Sequence, residues 1–531
     1  MSLLHELIVR AAVRWPAAGA VTHAAATHDY QHLADAVQRF GAGLLAIGVG
    51  RGERVAVFLE KRMETVVACF GAAAAGAVFV PVNPALRSHQ VGHILRDCGV
   101  RVLVTSPSRL ASLAGELGTC ADLQHLVLTG DAAEMPRGGP LGCAMHRFDD
   151  LTASPVRTGH RVIDIDLAAI LYTSGSTGKP KGVVLSHRNL VAGARSVSTY
   201  LGNVPEDVLL AALPLSFDAG FSQLTTAFRV GARVVLLNHV MAKDVLRAID
   251  GEGVTGLTAV PPLWIQLSQL EWPAPAGAGL RYFANTGGRM PQETLTRLRA
   301  LMPRARPFLM YGLTEAFRAT YLPPEQVERR PDSIGQAIPG SEVLVLRPDG
   351  SPCADDEPGE LVQRGPLVAL GYWNDPERTA ERFRPLPAAA GVRDAGVVLP
   401  EMAVFSGDVV RRDAEGYLYF IGRRDEMIKT SGYRVSPTEI EEVLYGTGMV
   451  GECAAFGVAD KALGQSITVV VTPPAGAAEL DVVALLRSCR ERLPAYMVPQ
   501  RVEVRSGSLP RNANGKIDRR ALADALEAAC G

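Results

Sequence analysis

Two hydrophobic periods alternate along the first 160 residues. Residues 35–47 repeat apolar side chains at helical spacing, and residues 54–59 form a short apolar run after the turn GVGRGE, so a helix followed by a strand is predicted. That turn lacks the spacing of a dinucleotide fingerprint and reads as punctuation. Further short strands are predicted at 78–82, 102–105 and 126–129. Residues 66–80 are uncharged and apolar, but too short to span a bilayer and broken by Gly71 and Gly76. They predict a buried helix followed by a buried strand. An apolar run at 167–171 and another at 183–185 predict two strands flanking a polar loop. Segment 208–214, a strand at 232–237, a helix near Val245 and a strand at 257–260, ended by Pro261 and Pro262, continue the pattern. Alternating helices and strands imply layered α/β architecture.

The texture changes at 334–419, where short strands (342–346, 359–362, 416–420) sit among Gly and Pro turns, as in a small β subdomain. Residues 384–400 read as an irregular surface loop. After Arg424 a second domain is predicted. Its helix start is Ser436-Pro437-Thr438-Glu439, with Ser as cap, Pro in the first turn and Glu closing a capping box; Ile440, Val443 and Leu444 form the apolar face. The expected fold is therefore α/β: a large N-terminal domain (1–424) of layered α/β subdomains plus a small β subdomain, then a small α+β C-terminal domain (425–531).

Composition narrows the function. Lys+Arg 54 against Asp+Glu 55 leaves a net charge of −1, with no basic bias toward nucleic acid or anionic lipid. The cysteines are scattered without a CxxC pair, and read as reduced thiols of a cytoplasmic protein. The opening MSLLHELIVRAAVRW carries Glu6 and Arg10 in its apolar stretch, a poor signal peptide. No membrane span is expected.

The loop between the two strands carries the first chemistry: Thr173, Ser174, Gly175, Ser176, Thr177, Gly178, Lys179, Pro180 and Lys181. Glycines let backbone N–H groups approach an anion, and hydroxyls and lysines add donors, so the loop suits a polyphosphate. It is not a Walker loop: Thr173 stands where the first Gly belongs, and Pro180 follows Lys179.

TSGSTGKPKG resembles the phosphate loop of the adenylate-forming superfamily of acyl-CoA synthetases, nonribosomal-peptide adenylation domains and luciferases. YGLTE (311–315), SGD (406–408), GRRDEMIKTSGYRVSPTEIE (422–441) and NGKIDRR (514–520) follow in the order that family requires. Within it, SFDAG, YGLTEAFR and the long run from SGD look most like the acyl-CoA ligases associated with exosortase systems and stand-alone amino-acid adenylation enzymes. The resemblance implies two half-reactions: a carboxylate attacks the α-phosphate of ATP, and a pantetheine thiol of CoA or a separate carrier protein then displaces AMP. It implies that Thr173, Ser174, Ser176, Thr177 and Lys181, with Gly175 and Gly178, hold the phosphates, and that Thr314 and Glu315 contact phosphate and Mg²⁺. It further implies that Asp408 accepts the ribose hydroxyls, Arg423 adds a ribose or phosphate contact, Gly287 and Gly288 lie against adenine, and Tyr311, next to Gly312, stacks on it. Lys516 would bridge the carboxylate and phosphate, Asp425 would be the hinge of a mobile C-terminal domain, and the Gly432 loop would serve the thioester step. Ser406 departs conservatively from the family's more usual Thr.

The acid-binding segment by the same resemblance is LPLSFDAGF (213–221). Many fatty acyl-CoA synthetases have Phe-His where this chain has Ser216-Phe217, whereas Phe217-Asp218 matches the Phe-Asp of amino-acid adenylation domains. Arg318 follows YGLTE in a stretch that lines the pocket in relatives. Three readings stay open on the sequence. Asp218 and Arg318 could greet an ammonium and a second anionic group, making the substrate a polar or acidic amino acid, or they could pair with each other; a plainer alternative has Asp218 capping a local turn and Arg318 pointing to solvent. The rival activities are a fatty acyl-CoA synthetase for a plain acyl chain and a catalytically silent nucleotide-binding relative.

Overall fold

The computed structural model describes residues 2–130, 142–173, 180–273, 277–392, 396–424, 426–430, 433–460, 463–474, 476–477, 479–512 and 515–530. Two sheets build the large domain. In the first, strands Arg54–Phe58, Val78–Pro81, Val100–Thr105, His125–Leu128, Ala144–Arg147 and Leu167–Thr173 run parallel, and Lys181–Ser186 folds back antiparallel on Leu167–Thr173. In the second, Arg233–Leu236, Val208–Ala211, Gly256–Ala259, Tyr282–Asn285 and Arg306–Tyr311 run parallel. That sheet then continues antiparallel through Thr320–Leu322 and Ser333–Ala337 into Leu418–Arg423, Met402–Arg412, Gly359–Arg364 and Glu342–Leu346. The parallel strands are nearly all apolar because helices cover both faces.

The two sheets share one core. Phe79 of the first stacks on Phe221 of helix Asp218–Val230 at 4.8 Å, and Phe221 stacks on Phe70 of helix Met63–Ala75 at 5.5 Å. Residues 66–80 thus form the expected buried helix and strand, divided by Gly76 at φ +83. Among the described residues, no helix is long and apolar enough to cross a membrane.

A separate sheet of Ile428–Thr430, Tyr433–Val435, Cys453–Asp460, Gly464–Val471 and Arg501–Val504 carries its own apolar cluster with helices Pro437–Tyr445 and Val482–Arg492. This small C-terminal domain sits on the large one: Glu442 accepts from the Gln292 backbone N–H at 3.4 Å and lies 3.5 Å from Arg289 Nε.

Two expectations need correction. Ser436 precedes the helix and Pro437 occupies its first turn, but the Ser436 hydroxyl makes no cap bond; it pairs with the Thr438 hydroxyl at 2.7 Å, so no capping box forms. Segment 384–400 is not irregular throughout, since Phe383–Pro385 pairs with Met402–Arg412. Beyond it Val398 and Leu399 are exposed, as a surface loop would be; residues 393–395 lie outside the described set.

Candidate active site

The phosphate loop hangs from a β-hairpin. Thr173 and Lys181 are cross-strand partners at its mouth, and residues 174–179, with Ser174, Gly175, Ser176, Thr177 and Gly178 among them, lie outside the described set. The Thr173 hydroxyl is buried without a hydrogen-bond partner among the described residues. A buried unpaired hydroxyl is costly unless a ligand or water completes it, so its place at the loop mouth fits a phosphate.

Lys181 reaches across to the YGLTE segment. Its ammonium donates to Glu315 Oε1 at 2.9 Å and to the Tyr372 hydroxyl at 2.8 Å, and Tyr372 donates to the same Glu315 oxygen at 2.6 Å. Burial would raise the Glu315 carboxyl, but the Lys181 charge and the Tyr372 bond outweigh it and lower it to about 2. The stabilisation from these partners is intact above the ordinary carboxyl range and is lost only as pH falls toward about 2. Among the described residues no cluster of three His, Cys, Asp or Glu could hold a metal. One ionised carboxylate alone fits Mg²⁺ that takes its remaining ligands from phosphate and water.

Tyr372 went unnoticed in the sequence. It has no local motif; it arrives because residues 370–373 add an edge to strand Lys181–Ser186, with Val184 N–H donating to Gly371 C=O and Trp373 N–H to Gly182 C=O. Tyr372→Phe removes one bond to an ionised carboxylate, worth about 1.5–3 kcal/mol. It should raise KM for Mg·ATP by roughly tenfold or more. An unchanged KM in steady-state assays would show that Tyr372 does not orient Glu315.

The ribose candidates lie together. Asp408 and Arg423 face each other on paired strands, with Arg423 Nε 3.3 Å from Asp408 Oδ1, and the Tyr311 hydroxyl donates to Asp408 Oδ2. Burial raises the Asp408 carboxyl against the pull of Arg423, Tyr311 and Arg382. Asp408 Oδ1 accepts no hydrogen bond among the described residues, leaving an acceptor for a sugar hydroxyl. Gly287 at φ +78 and Gly288 follow strand Tyr282–Asn285, and a Cβ on Gly287 would come within 3.2 Å of Val260 Cγ1 and 3.4 Å of Lys516 Cε.

Lys516 therefore reaches from the C-terminal domain onto the large one. Its turn is closed by reciprocal bonds with Asn512, 3.1 Å and 2.8 Å long. The residue keeps part of its surface open, yet protein surrounds the ammonium closely enough for desolvation to lower its pKa. Asp218 is the leading opposing charge, and Arg423, Asp408 and Glu426 also act on it. Asp425 and Gly432 lie outside the described residues.

In the candidate acid-binding segment Asp218 and Arg318 pair with each other. Asp218 opens helix Asp218–Val230, but does not cap it. Its Oδ2 receives Arg318 Nη1 at 3.0 Å and its Oδ1 receives the Thr314 hydroxyl at 3.2 Å. Arg318 is 2% exposed. It is turned inward by Phe317, whose φ of +59 is unusual for a non-glycine residue. The chain also returns so closely past Gly312 that a Cβ there would meet Arg318 Cα at 3.0 Å. The two charges thus neutralise each other, and the expectation of an acidic amino acid, with an ammonium for Asp218 and an anion for Arg318, loses its ground. Phe217 packs beside them with Leu213, Ala219 and Val260.

A buried anion–cation pair, an ionised Glu315 held by Lys181, and a lysine delivered by a second domain lie near one another: Glu315 follows Thr314, which bonds Asp218, and Asp218 acts on Lys516. The sequence model of the AMP-binding enzyme family matches residues 8–373, and that of the AMP-binding enzyme C-terminal domain matches residues 439–516. The chain belongs to the AMP-binding enzyme family. Similar members include an L-proline–[L-prolyl-carrier protein] ligase of Pseudomonas fluorescens, 32% identical over 99% of this chain and 100% of that protein. A feruloyl-CoA synthase of an Amycolatopsis species is 32% identical over 96% of each. Among solved structures, ATP-bound MatB from Rhodopseudomonas palustris aligns with a TM-score of 0.84 and 26% identity, covering 99% of this chain and 100% of that one. This AMP-binding enzyme is an ATP-dependent, AMP-forming member of the acyl-CoA and carrier-protein ligase class.

Proposed function

We propose that this enzyme joins a carboxylic acid to a pantetheine thiol, on CoA or a free-standing carrier protein, in two half-reactions on one site. The observation that carries the reading is Lys516, whose side chain lies against Gly287 with Asp218 and Asp408 among its charged neighbours. A cation there can neutralise both the acid's carboxylate and the α-phosphate as they approach. One carboxylate oxygen attacks the α-phosphorus, and pyrophosphate leaves. Thr173 and Lys181 hold the leaving phosphates, Asp408 takes the ribose hydroxyls, and Tyr311, Gly287 and Gly288 bound the adenine. Mg²⁺, held by Glu315, would supply charge neutralisation on the phosphates. In the second step the thiol sulfur attacks the acyl carbon, AMP leaves with the oxygen it gained, and the thiol proton passes to solvent. The intact set of Lys516, Glu315 and Asp408 supports an active ligase over a silent nucleotide-binding relative.

The relatives name both CoA and carrier-protein acceptors, which supports a pantetheine thiol as the chemistry common to both. Dependence on ATP, together with the free cysteines among the described residues, supports a cytoplasmic setting.

The domain boundary at 424/425, with Asp425 as hinge and the Gly432 loop entering for the second step, extends the same reading. Asp425→Pro fixes φ near −65° at a residue that has to change conformation. Acyl-AMP formation should then survive while thioester formation falls by about a hundredfold or more. Parent rates in both half-reactions, measured by pyrophosphate exchange and by thioester release, would show that the hinge lies elsewhere.

A further inference from the structure

Lys61 is a buried cation with no part in the two half-reactions. It follows strand Arg54–Phe58 of the first sheet and precedes helix Met63–Ala75. It is 9% exposed, and no carboxylate among the described residues pairs with it. Burial pushes its ammonium down to about 7. A methionine of similar length would fill the same space without that desolvation cost, so a charge at this position needs a reason.

The reason lies in what the ammonium bonds. Lys61 Nζ donates to the Ala212 carbonyl at 2.7 Å and, more loosely, to the Leu213 carbonyl at 3.5 Å. Strand Val208–Ala211 of the second sheet has just ended there, and Leu213 begins the candidate acid-binding segment. The backbone of Lys61 is gripped as well. Its N–H donates to Asn238 Oδ1 at 3.1 Å, and its C=O accepts from Asn238 Nδ2 at 2.8 Å. Asn238 follows the neighbouring strand Arg233–Leu236, and the Leu237 N–H donates to the Ala211 carbonyl at 3.4 Å. A closed ring of polar contacts therefore joins the exit of one first-sheet strand to the exits of two adjacent second-sheet strands. The ammonium supplies its charge-assisted bond, the strong kind.

From Leu213 the segment folds tightly on itself. A Cβ on Gly220 would meet the Pro214 carbonyl oxygen at 1.6 Å, so the chain after Leu213 lies directly against the first turn of helix Asp218–Val230. Leu213 packs with Phe217, Ala219 and Val260, on either side of Asp218 in the chain. Where the Ala212 and Leu213 carbonyls stand thus decides where Phe217 and Asp218 stand.

Resting on the reading of 213–221 as the acid-binding segment, we propose that Lys61 is a positioning residue for the acid: its ammonium anchors Ala212 and Leu213, and so holds Leu213, Phe217 and Asp218 in place for the incoming substrate. Asn238 acts through Lys61 by fixing its backbone. Loss of the anchor loosens the acid's segment, whereas the nucleotide candidates Tyr311, Asp408 and Arg423 stand on other strands.

The experiment is ATP–pyrophosphate exchange with a panel of amino acids, aromatic acids, dicarboxylic acids and fatty acids of several lengths, repeated on variants with the acid that the parent prefers. In Lys61→Met, which keeps the side chain's length and loses its charge, KM for that acid should rise at least about tenfold while KM for ATP stays within about twofold. Asn238→Ala, at an exposed residue, should raise the same KM. The double variant should do no worse than Lys61→Met alone, because the two residues act through one anchor. An unchanged acid KM in Lys61→Met, equal rises in the KM for acid and for ATP, or fully additive effects in the double variant would overturn the proposal and leave the ligase reading standing. Exchange with no acid in the panel, while ATP still binds, would overturn the ligase reading and this proposal with it. If Lys61→Met does not fold, Asn238→Ala decides by the same comparison of the two KM values.

Discussion

Lys516→Ala should lose acyl-AMP formation by about 10²–10³-fold and keep most of its thioester formation from supplied acyl-AMP. The Lys516 side chain lies against Gly287 with Asp218, Asp408 and Glu426 as anionic neighbours, so on the proposed reading its charge acts where carboxylate and phosphate oxygens are forced together. That crowding of negative charge exists in the first transition state and not in the second, where a thiol attacks a carbonyl. A loss confined to one half-reaction therefore identifies an interaction made in that transition state alone. Single-turnover assays of the two half-reactions separate the outcomes. Equal losses in both would mean that Lys516 supports the fold or the nucleotide generally.

Arg318→Leu should cost about 3–5 kcal/mol of stability, because it leaves the Asp218 carboxylate buried with only the Thr314 hydroxyl bonded to it. Adding Asp218→Leu should restore most of that loss, since two apolar residues of similar volume replace an ion pair at little net cost. Both variants should lose adenylation of the preferred acid. Denaturant unfolding of the parent, the single and the double variant under one condition checks the stability cycle. A single variant as stable as the parent would mean that the two charges are not coupled, and would reopen the reading in which each awaits a substrate group.

Much of the fold was legible because its strands announce themselves. The parallel strands are short continuous apolar runs, and those at 54–59 and 78–82 fall within a residue of their observed ends. The strand expected at 416–420 is displaced to Leu418–Arg423, because Gly416, at φ +84, belongs to the turn that precedes it. The missed cap at Ser436 has a local cause: a neighbouring hydroxyl competed for the serine.

In the candidate site, Glu315, Lys181, Asp408, Arg423 and Lys516 were picked out through motif order, and the fold sets Lys181 on Glu315, Arg423 beside Asp408, and Lys516 among the charges of Asp218, Arg423 and Asp408. Tyr372 was not. Tyr372 reaches Glu315 only because a late segment adds an edge to an early hairpin. The choice between a substrate-facing and a self-pairing Asp218–Arg318 turns on the backbone at Phe317, whose positive φ no sequence pattern foretells.

The most direct test of the central claim uses a carboxylic acid labelled with ¹⁸O in its carboxylate, taken from the panel that supports exchange, together with ATP, Mg²⁺ and a pantetheine thiol. Attack of that carboxylate on the α-phosphate, followed by displacement of AMP, carries one acid oxygen into AMP. Mass spectrometry should find one ¹⁸O in each AMP, formed in step with pyrophosphate and thioester. Unlabelled AMP, or ADP and phosphate as the nucleotide products, would contradict the account.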